Sequence, residues 1–141
     1  MTEHKLLLDK DGLSAFFDTA FPAAARASFG EIALVKPDHV RLTLQPLPEM
    51  ARPGNIVSGP ALMGLIDVAA YGVVLAHIGP VAMAVTHTMS VSFLRACRWS
   101  TVIADARLLK LGKRLATIDV RLWQASEEQL IAQSTVGYAL P

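Results

Sequence analysis

Residues 56–80, IVSGPALMGLIDVAAYGVVLAHIGP, set the architecture of this chain. From Ile56 to Val85 almost every side chain is uncharged, and Asp67 is the exception. The segment opens on Ser58-Gly59-Pro60, a capping residue followed by a proline suited to a first helical turn, which predicts a helix over residues 60–76. That helix is apolar all the way round apart from Asp67, Tyr71 and its ends, so the fold must wrap it on most sides. The apolar run is also long enough to be weighed as a membrane span. Gly79-Pro80 interrupts it, no aromatic or basic belt flanks it, and a carboxylate within a span costs about 2.5–3.5 kcal/mol on insertion scales. A core helix fits better. Asp67 is then costly unless it is paired or used.

The residues that follow supply the wrapping. Alternating patterns predict strands over residues 85–94, 101–110, 114–124 and 129–139, arranged as an antiparallel meander. A turn centred on Lys113 sets Asp105 opposite Arg121 and Arg107 opposite Asp119 on one face, with Ala104, Ala106 and Leu108 opposite Leu122, Val120 and Ile118 on the other. On this register Asp105 and Asp119 are expected to be solvated cross-strand partners. Upstream, residues 13–27 form an amphipathic helix that Pro22 can split, and residues 31–44 form a hairpin turning at Lys36-Pro37-Asp38-His39. Pro46, Pro48, Pro53 and Gly54 punctuate residues 45–58 too heavily for regular structure, and such loops often carry function. The expected fold class is α+β, a long central helix wrapped by a curved antiparallel sheet with a short N-terminal helix. One domain is expected over residues 1–141, with a helical segment at 1–29 and the core at 30–141.

Composition narrows the partners. The chain has 141 residues, 52% of them hydrophobic, enough for a core without staples. Thirteen Lys and Arg against 12 Asp and Glu, with no block of one sign, give nucleic acid no electrostatic footing. The single cysteine, Cys97, excludes an intrachain disulfide, and no Cys/His cluster suggests a metal, so none is expected. The Leu6-Leu7-Leu8 run among the charges of residues 1–10 is too short for a signal-peptide core, and a cytoplasmic location is expected.

Two places invite chemistry. At the helix start, Gly59 permits close backbone approach, and first-turn N–H groups with the dipole behind them can hold an oxyanion; alternatively, Ser58 simply caps the helix. Asp67 is either a structural acceptor or a reacting acid. Gly59 and Asp67 lie eight residues apart, about 12 Å along a helix, so one chain does not bring both to one carbonyl. A homodimer with antiparallel central helices does, twice, about its two-fold axis. Of the histidines, His4 lies in the tail, His39 in a turn, and His77 near a helix C-terminus where a cation is favoured. His87 falls on the apolar face of its strand, as a core histidine or, with an acid, a catalyst.

Ser58-Gly59-Pro60, Leu65-Ile66-Asp67-Val68-Ala69, Ser92-Phe93-Leu94-Arg95 and Gly112-Lys113-Arg114 stand in the order and spacing of a known family. From about residue 55 to the C-terminus the chain resembles the hotdog-fold acyl-CoA thioesterases, in the branch of the phenylacetyl-CoA and hydroxybenzoyl-CoA thioesterases. The resemblance implies a homodimer, or a dimer of dimers, that hydrolyses an acyl-CoA thioester with coenzyme A as part of the substrate and no other cofactor. It implies that the N–H of Gly59 polarises the carbonyl and that Asp67 of the partner subunit attacks it or activates water. The family usually begins this helix with His-Gly-Gly, so Ser58 and Pro60 depart from it. Some members place a threonine one turn beyond the acid, where this chain has Tyr71; Thr86 is the substitute, and Asn55 is the candidate polar loop residue. Met63, Tyr71 and Met89 are candidates for the acyl channel, or plain core, and Ser58 and Pro60 are further candidates for substrate contact. Arg95, Lys110, Lys113 and Arg114 are candidates for the coenzyme A phosphates, or solvated strand ends. Two other readings stay open: a hydratase or dehydratase of acyl thioesters using His87, and a non-catalytic dimer that binds acyl-CoA.

Overall fold

The computed structural model describes residues 4–141. It contains helices α1 (Lys10–Ala20) and α2 (Ala23–Arg26), then strands β1 (Glu31–Lys36) and β2 (His39–Leu44). A short ribbon of β3 (Ala51–Arg52) and β4 (Ile56–Val57) leads into the central helix α3 (Gly59–Ile78). Strands β5 (Val85–Phe93), β6 (Val102–Leu111), β7 (Leu115–Trp123) and β8 (Ala132–Ala139) complete it. Six strands form one antiparallel sheet in the order β1-β2-β6-β7-β8-β5, and β2, β5, β6, β7 and β8 all lie against α3. This is the α+β hotdog arrangement expected from the sequence.

The sheet is not a simple meander. β6, β7 and β8 follow one another, but β5 lies at the far edge beside β8, and β6 pairs on its other side with β2. Alternation marks a strand without naming its neighbour. The connection at residues 94–101 must cross three strand spacings, about 14 Å, well within the roughly 27 Å reach of eight residues. The β6–β7 register does follow the charge pattern: Asp105 opposes Arg121, Arg107 opposes Asp119, and Ala104, Ala106 and Leu108 oppose Leu122, Val120 and Ile118. Residues 45–58 contain more regular structure than their prolines suggest. Asn55, with φ of 58°, and Gly54, with φ of 97°, close the β3–β4 turn.

α3 begins where Ser58 caps it and ends at Gly79, whose φ of 92° turns the chain away. Leu65, Ile66, Ala69, Ala70, Val73, Val74, Leu75 and Ala76 are fully buried, and each large side chain among them contributes on the order of 1.5–3 kcal/mol. By length and hydropathy α3 would qualify as a membrane span, but it is the core helix of this domain. Pro22 separates α1 from α2, and α1 closes over the C-terminal half of α3. Leu13 and Phe17 are fully buried there, and Phe17 Cζ would stand 3.4 Å from a Cβ added at Gly72.

Three polar expectations change. Asp105 is buried rather than solvated: its carboxylate takes hydrogen bonds from His39 Nε2, Arg41 Nε at 3.1 Å and Arg107 Nε at 3.3 Å, because β2 lies beside it. Asp119 accepts from Arg121 Nε at 3.1 Å and Gln133 Nε2 at 2.8 Å, not from Arg107 opposite. His77 is buried, and its Nδ1 donates to Val73 O at 2.7 Å while Nε2 accepts from the Asp38 N–H at 2.8 Å. That pattern fits a neutral ring, not a helix-end cation.

Candidate active site

The Asp67 side chain emerges from α3 towards the edge of the sheet and meets two hydroxyls. Thr86 Oγ1, from β5, donates to Asp67 Oδ1 at 2.5 Å, and Tyr138 Oη, from β8, donates to the same oxygen at 2.7 Å. Tyr138 Oη also lies 3.2 Å from the carbonyl oxygen of Asp67. The two donors arrive together because Thr86 and Tyr138 are paired across β5 and β8. Among the described residues no hydrogen bond engages Asp67 Oδ2, so one oxygen is anchored and the other is left to act.

Tyr138 is a residue the sequence reading missed. Seventy-one positions from Asp67, it reads as one more core aromatic in an alternating strand, and only the pairing of β8 with β5 brings it to the acid. Burial pushes its phenol far above the ordinary range; its hydrogen bond with Thr86 lowers it in part, and the adjoining Asp67 carboxylate raises it again. Tyr138 is therefore a proton-bearing donor throughout the working range of pH. Tyr71 lies behind it, with ring centroids 6.0 Å apart, and completes an aromatic group with Phe17 and Phe21. The Tyr71 hydroxyl donates to Ala82 O at 3.1 Å and burial raises its pKa, so it braces the site from behind.

At the start of α3 the first-turn donors can be followed one by one. The Ala61 N–H goes to Ser58 Oγ at 3.3 Å, the Leu62 N–H goes to Ser58 O at 3.1 Å, and Pro60 has none. Among the described residues no acceptor takes the N–H of Gly59. Capping by Ser58 and a free donor at Gly59 thus coexist.

The two groups lie at opposite ends of β5. A Cβ at Gly59 would meet Phe93 Cζ at 3.7 Å, whereas Asp67 meets Thr86. Pro60, Met63, Gly64 and Asp67 form an open stripe on α3, with Met63 41% exposed and nothing within 4 Å of a Cβ built at Gly64. This open stripe lies next to β5, the exposed edge of the sheet.

Residues 54–131 match the model of the thioesterase superfamily. The chain belongs to that superfamily. A candidate thioesterase from Silicibacter sp. TM1040 is 37% identical to it, with 99% of this chain and 96% of that one covered and a TM-score of 0.88. Two more distant structures share the fold. The PaaI protein of the phenylacetic acid degradation operon of E. coli is 18% identical, covers 93% of this chain and 95% of its own, and has a TM-score of 0.74. A hypothetical thioesterase from Streptococcus pneumoniae TIGR4, solved with coenzyme A, is 19% identical, covers 89% and 94%, and has a TM-score of 0.73. No curated protein matches the chain.

Within this thioesterase-superfamily chain the remaining candidates divide between the two ends of the sheet. Lys110, Lys113 and Arg114 are exposed around the β6–β7 turn, at the Thr86 end. Arg95 and Asn55 lie at the Gly59 end and line a groove of about 1070 Å³. Met89 is half-buried on β5, between the ends. His87 is the extra residue of a bulge between Thr86 and Thr88, which breaks the strand alternation and leaves it exposed instead of in the core. A second concavity, about 550 Å³ on the outer face of the sheet, holds Asp105 and Asp119; neither concavity is lined by Asp67.

Proposed function

We propose that this protein hydrolyses an acyl-CoA thioester to a free acid and coenzyme A, with each active site assembled from two subunits of a homodimer. The observation that carries the reading is the Asp67 carboxylate, held through one oxygen by Thr86 and Tyr138 with the other oxygen unengaged. A thioester carbonyl is electrophilic enough that a placed donor and a carboxylate suffice. The Gly59 N–H of one subunit takes the carbonyl oxygen. Asp67 of the partner subunit then attacks the carbonyl carbon, or removes a proton from the water that does. In the second case the protonated Asp67 returns that proton to the departing sulfur as the carbon–sulfur bond breaks. In the first the thiolate departs from a mixed anhydride on Asp67, which water hydrolyses to the free acid and the restored carboxylate, the proton released from water balancing the thiolate.

The need for a partner follows from the ends of β5. Gly59 and Asp67 are about 12 Å apart along α3, and a two-fold axis that sets two such helices antiparallel places each donor beside the other subunit's acid. The same operation lays one β5 edge against the other. That edge, VTHTMSVSF, has no Asp, Glu, Lys or Arg to discourage pairing, and Val85 and Phe93 are 51% and 50% exposed on it. Met63 and Met89 border the open face beside Asp67 and are assigned to the acyl channel, entered past Ser58 and Pro60. Lys110, Lys113 and Arg114 of one subunit approach Arg95 of the other, where they meet the phosphates. Asn55, at the Gly59 end, is carried by the same two-fold axis to the side of the other subunit's acid, where it is assigned to assist. The expected location is the cytoplasm.

Hydrolysis of a panel of aromatic and aliphatic acyl-CoA thioesters, followed by free thiol release, tests the reading with wild type beside Asp67→Asn. Turnover that disappears in the variant while the dimer persists supports it. Binding of acyl-CoA with no turnover of any thioester overturns it in favour of a binding protein.

A further inference from the structure

We infer that the groove between the β3–β4 ribbon and the loop joining β5 to β6 receives the adenine nucleotide of the carrier, with the base on Trp99 and the phosphates on Arg95 and Arg98. This assignment rests on the hydrolase reading for its substrate, but the groove argues for it on its own features. Its volume of about 1070 Å³ suits a nucleotide, and Arg95, Arg98, Trp99 and Asn55 are among its walls. No acidic residue lines it, in contrast to the concavity on the outer face of the sheet, which holds Asp105, Asp119, Glu127 and Glu128. Among the described residues Arg26, Arg41, Arg107 and Arg121 each have a carboxylate within 4.0 Å, whereas Arg95 and Arg98, like Arg52 and Arg114, have none. Two exposed guanidinium groups left without an acid beside a polar groove are a fork for phosphate.

The loop that presents them is built rather than slack. Gln124 Nε2 donates to Arg98 O at 2.7 Å and to Ser100 Oγ at 3.0 Å, and Gln124 Oε1 accepts the Arg98 N–H at 3.1 Å. The Val57 N–H donates to Cys97 O at 2.9 Å, and Ile56 bridges to Arg98, so the ribbon and the loop are tied together. Trp99 is half-buried; its indole packs on the core and also borders the groove, which fixes it at little cost in side-chain freedom. An indole so held is a stacking platform for a base, and a base–aromatic contact is lost at a cost of about tenfold or more in affinity. The groove also leads to the chemistry. Ile56, in its wall, is three residues before Gly59, so a carrier anchored here sends its thioester arm towards the free N–H.

Calorimetric titration of the intact protein with adenosine 3′,5′-bisphosphate, which has neither thioester nor acyl group, tests the site directly. Binding is expected to weaken about tenfold in Trp99→Ala, to recover in Trp99→Phe, and to weaken at least tenfold in Arg95→Ala/Arg98→Ala, with all three variants folded and dimeric. In hydrolysis, the preference for the CoA thioester over the matching pantetheine thioester, as a ratio of kcat/KM, should fall about tenfold in the same variants. An unchanged ratio with no nucleotide binding overturns the groove and leaves the hydrolase standing. Nucleotide binding that follows the variants in a protein that hydrolyses no thioester sinks the hydrolase and upholds the groove. Variants that impair only thioesters of acyl carrier protein overturn the nucleotide assignment in favour of an acidic protein surface.

Discussion

Tyr138→Phe separates a carboxylate that is aimed from one that is merely buried near an alcohol. The substitution keeps the ring against Tyr71 and deletes one oxygen, the donor 2.7 Å from Asp67 Oδ1. Hydrogen bonds to charged groups contribute about 1.5–3 kcal/mol each, and 1.36 kcal/mol corresponds to tenfold in rate. If the bond is wholly devoted to holding the reactive rotamer, kcat falls about 10- to 100-fold while KM moves little, because the acyl channel and carrier groove are untouched. Thr86→Val, which removes the 2.5 Å partner on the same oxygen, should behave alike. The assay is steady-state thioester hydrolysis with thermal denaturation alongside. A Tyr138→Phe protein that loses stability but keeps its kcat would refute the reasoning, since the phenol would then be a tie between β8 and α3 and nothing more.

Three other outcomes follow from the structure. Hydrogen bonds and charge from His39 and Arg41 overcome the effect of burial and hold the Asp105 carboxyl below its ordinary pKa, so its contribution is present at neutral pH and lost as pH falls through the folded value. Asp105→Asn should therefore cost about 2–3 kcal/mol at pH 7, with the gap to wild type closing below about pH 4 in denaturant titrations. Gly137→Ala forces a Cβ to within 2.6 Å of Thr88 Oγ1 and strains the β5–β8 pairing beside Thr86. A loss of about 1–3 kcal/mol with a lowered kcat is expected in paired melting and activity measurements. Burial raises the Cys97 thiol to about 11, so it should resist a thiol reagent at pH 8 until the protein unfolds; rapid labelling of the native protein would contradict its placement.

Much of this was legible because local rules and the final packing agree. The uncharged run of α3 demanded a wrapper, and the alternation of Asp105, Arg107, Asp119 and Arg121 permitted one register for β6 and β7. What stayed hidden depends on contacts between distant segments. Asp105 reads as a surface acid until β2 brings His39 and Arg41 beside it. Tyr138 reads as core until β8 takes β5 as its neighbour, and the bulge at His87 changes which side chains face inward with no glycine or proline to announce it. Asp67 was found because a charge inside an apolar helix is visible without any partner; its partners were not, apart from Thr86.

Gly59 and Asp67 at opposite ends of one edge strand have a genetic consequence if the site is shared. A chain defective in its donor still carries a sound acid, and a chain defective in its acid still carries a sound donor. Co-expressed, two such alleles would form mixed dimers in which one of the two sites is assembled entirely from intact halves, so that each inactive allele would rescue the other.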